Sequence, residues 1–145
     1  MIQGGIIEFL QALRARESDA SFSRVLENLG GNAKVDLYTD RGIEEKFLAV
    51  SDRGVDFLVL EGVLRTIFIY ARKTRSHERY AGWPSLVAGI DATSSRADIQ
   101  NALGEPIATS HEFIRYRNEH GYLQFEFDGE TLSMAVVLAE VVDGE

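Results

Sequence analysis

The sequence predicts an α+β domain built from two tandem repeats, each a helix followed by three strands, that form an antiparallel sheet with the helices on one face. Three observations lead to this prediction. The length of 145 residues, 45% of them hydrophobic and 26% charged, allows one core. In both halves, strand-length apolar runs with turn signals follow a helical pattern. The two halves also align with each other in helix, glycine and strand positions.

In the first half, two helices precede the strands. Apolar side chains at helical spacing predict a helix over about residues 3–16, and a second pattern predicts one over about 21–29 that ends at two glycines. Three strand-length runs follow, FLAV, VDFLVL and VLRTIFIY, with SDRG and EG between them. Turns this short are typical of an antiparallel meander.

The second half has the clearest helix signal of the chain, in the stretch SSRADIQNALGEP. Ser95 is a good N-cap and Asp98 can complete a capping box, so a helix is predicted over about 96–103, ending at Gly104. Three further strands follow, in FIRYR, YLQFEF and LSMAVVLAEVV. This order repeats that of the first half and predicts one domain over 1–145, with repeats at about 3–71 and 83–143 and a connector at 72–82.

The formal charge of −8 argues against nucleic acid as a partner and permits a basic protein. The charge is unevenly distributed, because the segment from Arg72 to Arg79 holds four basic residues and one acid. This segment is either a solvated connector or a loop that docks a partner or contacts phosphate.

No pattern indicates catalysis, a cofactor or a metal. The chain lacks cysteine, its three histidines lack the helical spacing of a metal site, and no phosphate-binding loop or nucleophile motif is present. The N-terminal segment reads as an amphipathic helix, and neither a signal nor a membrane span is recognised. We therefore expect a cytoplasmic binding protein that is not an enzyme and has no membrane partner.

Candidate partner-binding residues come from the wet face of a strand and from paired acids. In GYLQFEFDG the apolar residues alternate with polar ones, which places four side chains on a solvated face: Tyr122, Gln124, Glu126 and Asp128. Glu44 and Glu45 form a second acidic pair. Trp83 is predicted to be a buried anchor of the connector, with an interface hot spot as the alternative. Two first-half strands are apolar on both sides, so they are either covered on both faces or expose a patch for a partner.

The chain resembles known groups of proteins from the last strands of its first half onward. The capped helix in DIQNALGEP, followed by FIRYR and an apolar meander, resembles the repeat of beta-lactamase inhibitor protein and of outer-membrane assembly lipoproteins. The order IFIYA, basic connector, GWPSLVAGI and SRADIQNALGEP is similar to small bacterial immunity proteins of contact-dependent and polymorphic toxin systems. The resemblance covers about residues 57–137. It implies an immunity protein that neutralises a cognate toxin by stoichiometric binding, with a basic nuclease as a candidate toxin.

Two other functions remain open. One is a small-ligand-binding or enzymatic domain with a site between the repeats near Trp83 and His77. The other is a self-associating module, a possible homodimer, that uses Val55–Leu60 and Leu64–Tyr70.

Overall fold

The computed structural model of the protein describes residues 1–141, so positions 142 and 143 of the predicted second repeat lie outside it. The described chain has four helices: α1 (Ile6–Ala12), α2 (Ala20–Leu29), α3 (Trp83–Leu86) and α4 (Arg96–Leu103). It has eight strands: β1 (Lys34–Asp40), β2 (Ile43–Val50), β3 (Val55–Leu60), β4 (Val63–Tyr70), β5 (Ala108–Thr109), β6 (Phe113–Arg117), β7 (Tyr122–Asp128) and β8 (Thr131–Leu138). None of these helices has the length and apolarity that crossing a membrane requires.

The strands form one antiparallel sheet in the order β1-β2-β3-β4-β8-β7-β6-β5. This confirms the α+β class. The expected three strands per half are too few, because β1 and β5 add one strand to each half. The halves meet where β4 pairs with β8, for example at Phe68 and Val136. Strands β3 and β4 are interior and paired on both sides, so self-association through them would have to use their side chains.

The predicted end signals of α4 are confirmed. The Ser95 side chain accepts a hydrogen bond from the amide of Asp98, and the Asp98 carboxylate accepts one from the amide of Ser95. Such a capping box satisfies two amides that the helix itself leaves unpaired. Gly104 ends the helix with a φ of 84°, a conformation that favours glycine.

Helix α1 is shorter than the expected 3–16. The chain leaves the helix at Leu13, and Arg14 has a positive φ of 70°. The reason is tertiary pairing, since the amide of Arg14 donates to the carbonyl of Leu64 and the amide of Leu64 donates to the carbonyl of Ala15. The Arg14 guanidinium also donates to the carbonyls of His120 and Ala139. The segment after α1 therefore joins the start of β4 to the end of β8.

The sheet has two faces, which we name after neighbouring residues of β3. The Phe57 face carries the buried cross-strand row Phe57, Ile67, Val137, Leu123 and Tyr116. The Asp56 face carries the row Asp56, Phe68, Val136, Gln124 and Arg115, in which polar and apolar side chains mix. Burying one large apolar side chain such as Phe57 contributes about 1.5 to 3 kcal/mol, so the Phe57 face is the main source of stability.

Candidate binding face

A buried carboxylate marks the centre of the Asp56 face. Asp56 is 4% exposed, and its two carboxylate oxygens lie 2.8 and 2.9 Å from Nε2 of His77. The Tyr70 hydroxyl donates to the same carboxylate over 3.3 Å. Because a carboxylate can only accept hydrogen bonds, Nε2 of His77 carries the hydrogen of this contact. A charge that would be costly to bury alone is thus paired and hydrogen-bonded.

Stacking fixes the orientation of the His77 ring. The ring lies against Tyr70, with centroids 4.1 Å apart and planes inclined by 13°. Burial raises the pKa of the Tyr70 hydroxyl from 10.0 to about 12, and the charge of Asp56 and its hydrogen bond act in the same direction. Tyr70 therefore remains a neutral hydrogen-bond donor well above neutral pH.

His77 belongs to the connector, and a tight turn holds it in place. The Thr74 hydroxyl oxygen accepts hydrogen bonds from the amides of Ser76 and His77, and the Thr74 amide donates to the carbonyl of His77. The Ser76 hydroxyl lies 2.8 Å from Nδ1 of His77. Ser76, His77 and Asp56 are thus joined by hydrogen bonds in that order. Because Ser76 and His77 are consecutive residues of one turn, these bonds fix the position of the imidazole ring.

A second polar group lies across β6 and β7 of the same face. Nε of Arg115 donates to the Gln124 side chain over 2.9 Å, and the Gln124 amide donates to Glu126 over 2.8 Å. The Arg115 guanidinium also lies 4.6 Å from the centre of the Phe113 ring, a cation–π distance. Arg115 and Gln124 are buried, so their donors and acceptors are held in fixed directions.

Apolar side chains of β2, β3 and β4 adjoin Asp56 on the same face, where Phe68 is its cross-strand neighbour. The rings of Phe47 and Phe68 stack with centroids 5.9 Å apart, and Leu58 is the cross-strand neighbour of Phe47. All three side chains are partly exposed. We call these three residues the aromatic cluster. A partly exposed aromatic surface beside ordered polar groups is typical of a protein-binding surface.

The predicted partner-binding residues lie in different parts of the sheet. Glu45 and Glu126 share the Asp56 face, but four strand spacings, roughly 19 Å, separate their strands. Glu44 points to the Phe57 face, since its neighbour Glu45 belongs to the other. Asp128 lies at the end of β7, where it forms an ion pair with Arg72 over 3.3 Å.

Tyr122 and Gln124 belong to β7, and their side chains lie on the Asp56 face. Gln124 is buried, although the alternation of the sequence predicts a solvated position. The reason is the pairing with Arg115 on the neighbouring strand, which sequence alternation does not reveal.

Trp83 is 1% exposed, and its indole nitrogen donates to the Tyr70 carbonyl over 2.8 Å. The ring is therefore inaccessible to a partner in this conformation. It anchors the chain after the connector to the end of β4.

Sequence patterns do not single out Asp56 or Tyr70, and they associate His77 only with the alternative site between the repeats, near Trp83. One signal was available, because Asp56 is a charged residue inside the apolar strand VDFLVL, and a buried charge requires a partner. The sequence does not show that the partner comes from the connector 21 positions later.

The described chain also has a pocket away from the Asp56 face. A pocket of about 500 Å³ lies between α1, α2 and the connector, with apolar lining from Phe9, Val25 and Leu29 and with Arg53 and Arg79 beside it. Burial and the nearby charge of Glu8 raise the pKa of Tyr80, which also lines this pocket. Within residues 1–141, no three His, Asp or Glu side chains are grouped so that they could hold a metal ion.

Comparison with known proteins adds no relative: no family model, no curated protein and no solved structure matches the chain.

Proposed function

We propose that the protein is a cytoplasmic, toxin-neutralising immunity protein that binds its partner stoichiometrically through the Asp56 face. The observation that carries this proposal is the aromatic cluster of Phe47, Leu58 and Phe68, which is partly exposed on a broad sheet surface. Aromatic and apolar anchors surrounded by polar groups supply most of the binding energy in protein interfaces.

Polar groups on the same face support binding because they are ordered before a partner arrives. His77 and Tyr70 hold Asp56 on one side of the aromatic cluster, and Gln124 holds Arg115 and Glu126 on the other. Fixed side chains lose little conformational freedom on association, which favours affinity.

Charge supports a basic partner. The chain carries −8, and the acids Asp36 and Glu45 flank Phe47 on the Asp56 face. A toxin domain that binds nucleic acid needs a basic surface, and an acidic protein would be drawn to that surface at low salt.

We expect a gene beside this one to encode a large secreted protein, and the direct test is co-expression with the C-terminal domain of that protein. We expect relief of growth arrest and a 1:1 complex by calorimetry. The Phe47→Ala variant should weaken the complex by about 10- to 100-fold. Ile107→Ala removes another exposed apolar side chain, outside the aromatic cluster, and should have no effect. Persistent growth arrest, or equal losses from both variants, would contradict the proposal.

The acidic contribution is tested separately by salt dependence. A variant in which Glu44, Glu45, Glu126 and Asp128 are all neutralised should associate more slowly at low salt and show a flatter salt dependence. An unchanged salt dependence would show that these acids do not guide the partner.

The two halves support a further proposal, that the fold arose by tandem duplication with its helices on one face. The two halves meet where β4 pairs with β8. From this junction the strands of each half follow in descending order to its first strand at the sheet edge, β1 on one side and β5 on the other. The ring of Phe22 in α2 lies 5.5 Å from Phe57, and the Tyr116 hydroxyl donates to the Gly104 carbonyl after α4. Both contacts involve the Phe57 face.

A second candidate function is small-ligand binding in the pocket beside α1 and α2. Its volume of about 500 Å³ and apolar lining suit a small organic molecule, and Arg53 and Arg79 offer it cationic groups, although Glu8 and Asp52 also line the pocket. Thermal-shift screening of aromatic and aliphatic carboxylates would test this function. A shift lost in Arg53→Ala but kept in Phe47→Ala would favour the pocket over the Asp56 face.

A further inference from the structure

The first strand leaves an unusual sheet edge. Strand β1 spans seven residues in uninterrupted register with β2, and no strand among residues 1–141 pairs with its other side. Natural proteins usually shorten, bend or charge such an edge, as at the opposite end of this sheet, where β5 has two residues. The β1 edge is neither short nor interrupted, and its charged residues are Lys34, Asp36 and Asp40.

Exposed apolar side chains concentrate at this edge. Val35, Leu37 and Tyr38 are 49%, 62% and 59% exposed, and Ile43 at the start of β2 is also exposed. Val35 and Leu37 point to the Phe57 face, and Tyr38 points to the Asp56 face.

The hairpin geometry shows which backbone groups face outward. The two-residue turn at Arg41 and Gly42, both with positive φ, makes Asp40 and Ile43 a hydrogen-bonded pair. The carbonyl of Glu44 accepts from the amide of Glu61 on the β3 side, which fits this alternation. The amides and carbonyls of Val35, Leu37 and Thr39 therefore point away from β2.

We propose that a second copy of this chain pairs with β1, antiparallel and centred on Leu37, to form one continuous sheet across a twofold axis. In this register Leu37 faces Leu37 of the second copy, and Val35 faces Thr39. These are the residues whose backbone groups point outward, so about six new backbone hydrogen bonds form. Val35 and Leu37 become covered on the Phe57 face.

The same register pairs opposite charges. Lys34 faces Asp40 of the second copy, and the symmetry repeats this pair at the other end of the strand. These positions are not hydrogen-bonded across the new interface, so their side chains approach each other most closely. Within its own chain Lys34 faces Ala49 and Asp40 faces Ile43, so neither has a cross-strand charge partner there. The strand is thus complementary to itself in shape, hydrogen bonding and charge.

Sedimentation of the full chain over a concentration series tests the proposal. We expect a reversible monomer–dimer equilibrium. Lys34→Asp and Asp40→Lys should each weaken it by about tenfold, because each reversal creates two repulsive pairs. The double variant restores both pairs and should return the dissociation constant to within about threefold of the original. Glu112→Lys, a charge reversal beside the opposite edge, is the matched control and should have no effect.

Amide exchange locates the interface. On dilution the amides of Val35, Leu37 and Thr39 should exchange faster, whereas those of Asp36 and Tyr38 remain bonded to β2 and protected. A chain that stays monomeric at about 1 mM overturns the proposal. The proposal is also overturned if the charge reversals leave the dissociation constant of the dimer unchanged, or if the amides of Val35, Leu37 and Thr39 are unprotected in the dimer. Neither result depends on a toxin, so this test is independent of the proposed function.

Discussion

His77 places Nε2 within 2.8 and 2.9 Å of the two carboxylate oxygens of Asp56 and thereby fastens the connector to an interior strand. The connector also follows the sheet through its backbone, since Glu78 donates to Ser51 and Tyr80 donates to Tyr70. The basic segment from Arg72 to Arg79 is therefore held at the border of the Asp56 face. A partner at that border would meet this segment, whereas the Asp56 carboxylate lies buried against His77 and Tyr70.

Replacing His77 with alanine should loosen the connector. Asp56 would keep only its weaker contact with Tyr70, and losing the hydrogen bond to a buried charge costs about 1 to 3 kcal/mol of unfolding free energy. We expect a lower urea midpoint and faster tryptic cleavage between residues 72 and 79. His111→Ala is the control, since His111 lies in an exposed loop. Unchanged cleavage in His77→Ala would show that the pair does not hold the connector.

Replacing Tyr70 with phenylalanine should reduce the decline of the unfolding free energy at alkaline pH. The pKa of Tyr70 is about 12 in the folded chain and 10.0 ordinarily, so the folded state retains its proton longer. The stabilisation that the raised pKa of Tyr70 reflects is fully present below pH 10.0 and is lost as the pH rises through about 12. Tyr70→Phe should be less stable at pH 8, because the bond to Asp56 is lost, but should decline less from pH 10.0 to 12.

The measurement for Tyr70 is a set of urea titrations at several pH values. Tyr80 and Tyr116 also have raised pKa values, through burial and nearby carboxylates, so part of the decline should remain. Tyr122→Phe serves as the control, because its hydroxyl makes no hydrogen bond to another described residue. Parallel curves for Tyr70→Phe and the original chain would refute the coupling to Asp56.

Gly54 should tolerate alanine far less well than Gly104 does. Both have positive φ, 72° and 84°, so alanine costs about 1 to 2 kcal/mol at either position. At Gly54 an added Cβ would also lie 2.6 Å from the Tyr80 amide and closer still to the Glu78 carbonyl, whereas at Gly104 it meets nothing within 4 Å. We expect Gly54→Ala to lose at least about 2 kcal/mol more in urea titrations. Equal losses would mean that the connector does not lie against this turn.

Local signals explain which elements the sequence could reveal. The cap at Ser95 and the stop at Gly104 act within a few residues, and α4 has the predicted bounds. The apolar alternation of β7 likewise gives the buried side of that strand, with Leu123, Phe125 and Phe127 in the core. Strand β1 was missed because KVDLYTD is exposed along its length and lacks the apolar content of a buried strand.

The candidate site depends on tertiary pairing and could be predicted only in part. Glu126 and Tyr122 were placed on the correct strand face by alternation alone. The contact between Asp56 and His77, and that between Arg115 and Gln124, require knowledge of which strands and loops are neighbours. Composition showed that the chain is acidic but not how its acids spread across the sheet.

Trp83 should act as a reporter of folding that does not respond to a partner on the Asp56 face. It is the only tryptophan of the chain, its ring is buried, and its nitrogen donates to the Tyr70 carbonyl. We expect blue-shifted emission, little iodide quenching and a red shift on unfolding. Trp83→Phe should cost about 1 to 3 kcal/mol, because a hydrogen bond and ring volume are lost.

Binding and fluorescence measurements on Trp83 also distinguish its role as a structural anchor from a role as an interface hot spot. If Trp83 is an anchor, a folded Trp83→Phe variant binds the partner with nearly the original affinity, and binding leaves the emission of the original chain unchanged. The control is Phe47→Ala, which should keep the Trp83 emission but lose affinity. If instead the partner quenches Trp83, and Trp83→Phe binds about tenfold more weakly while folded, then the chain after the connector opens on binding and the interface includes that ring.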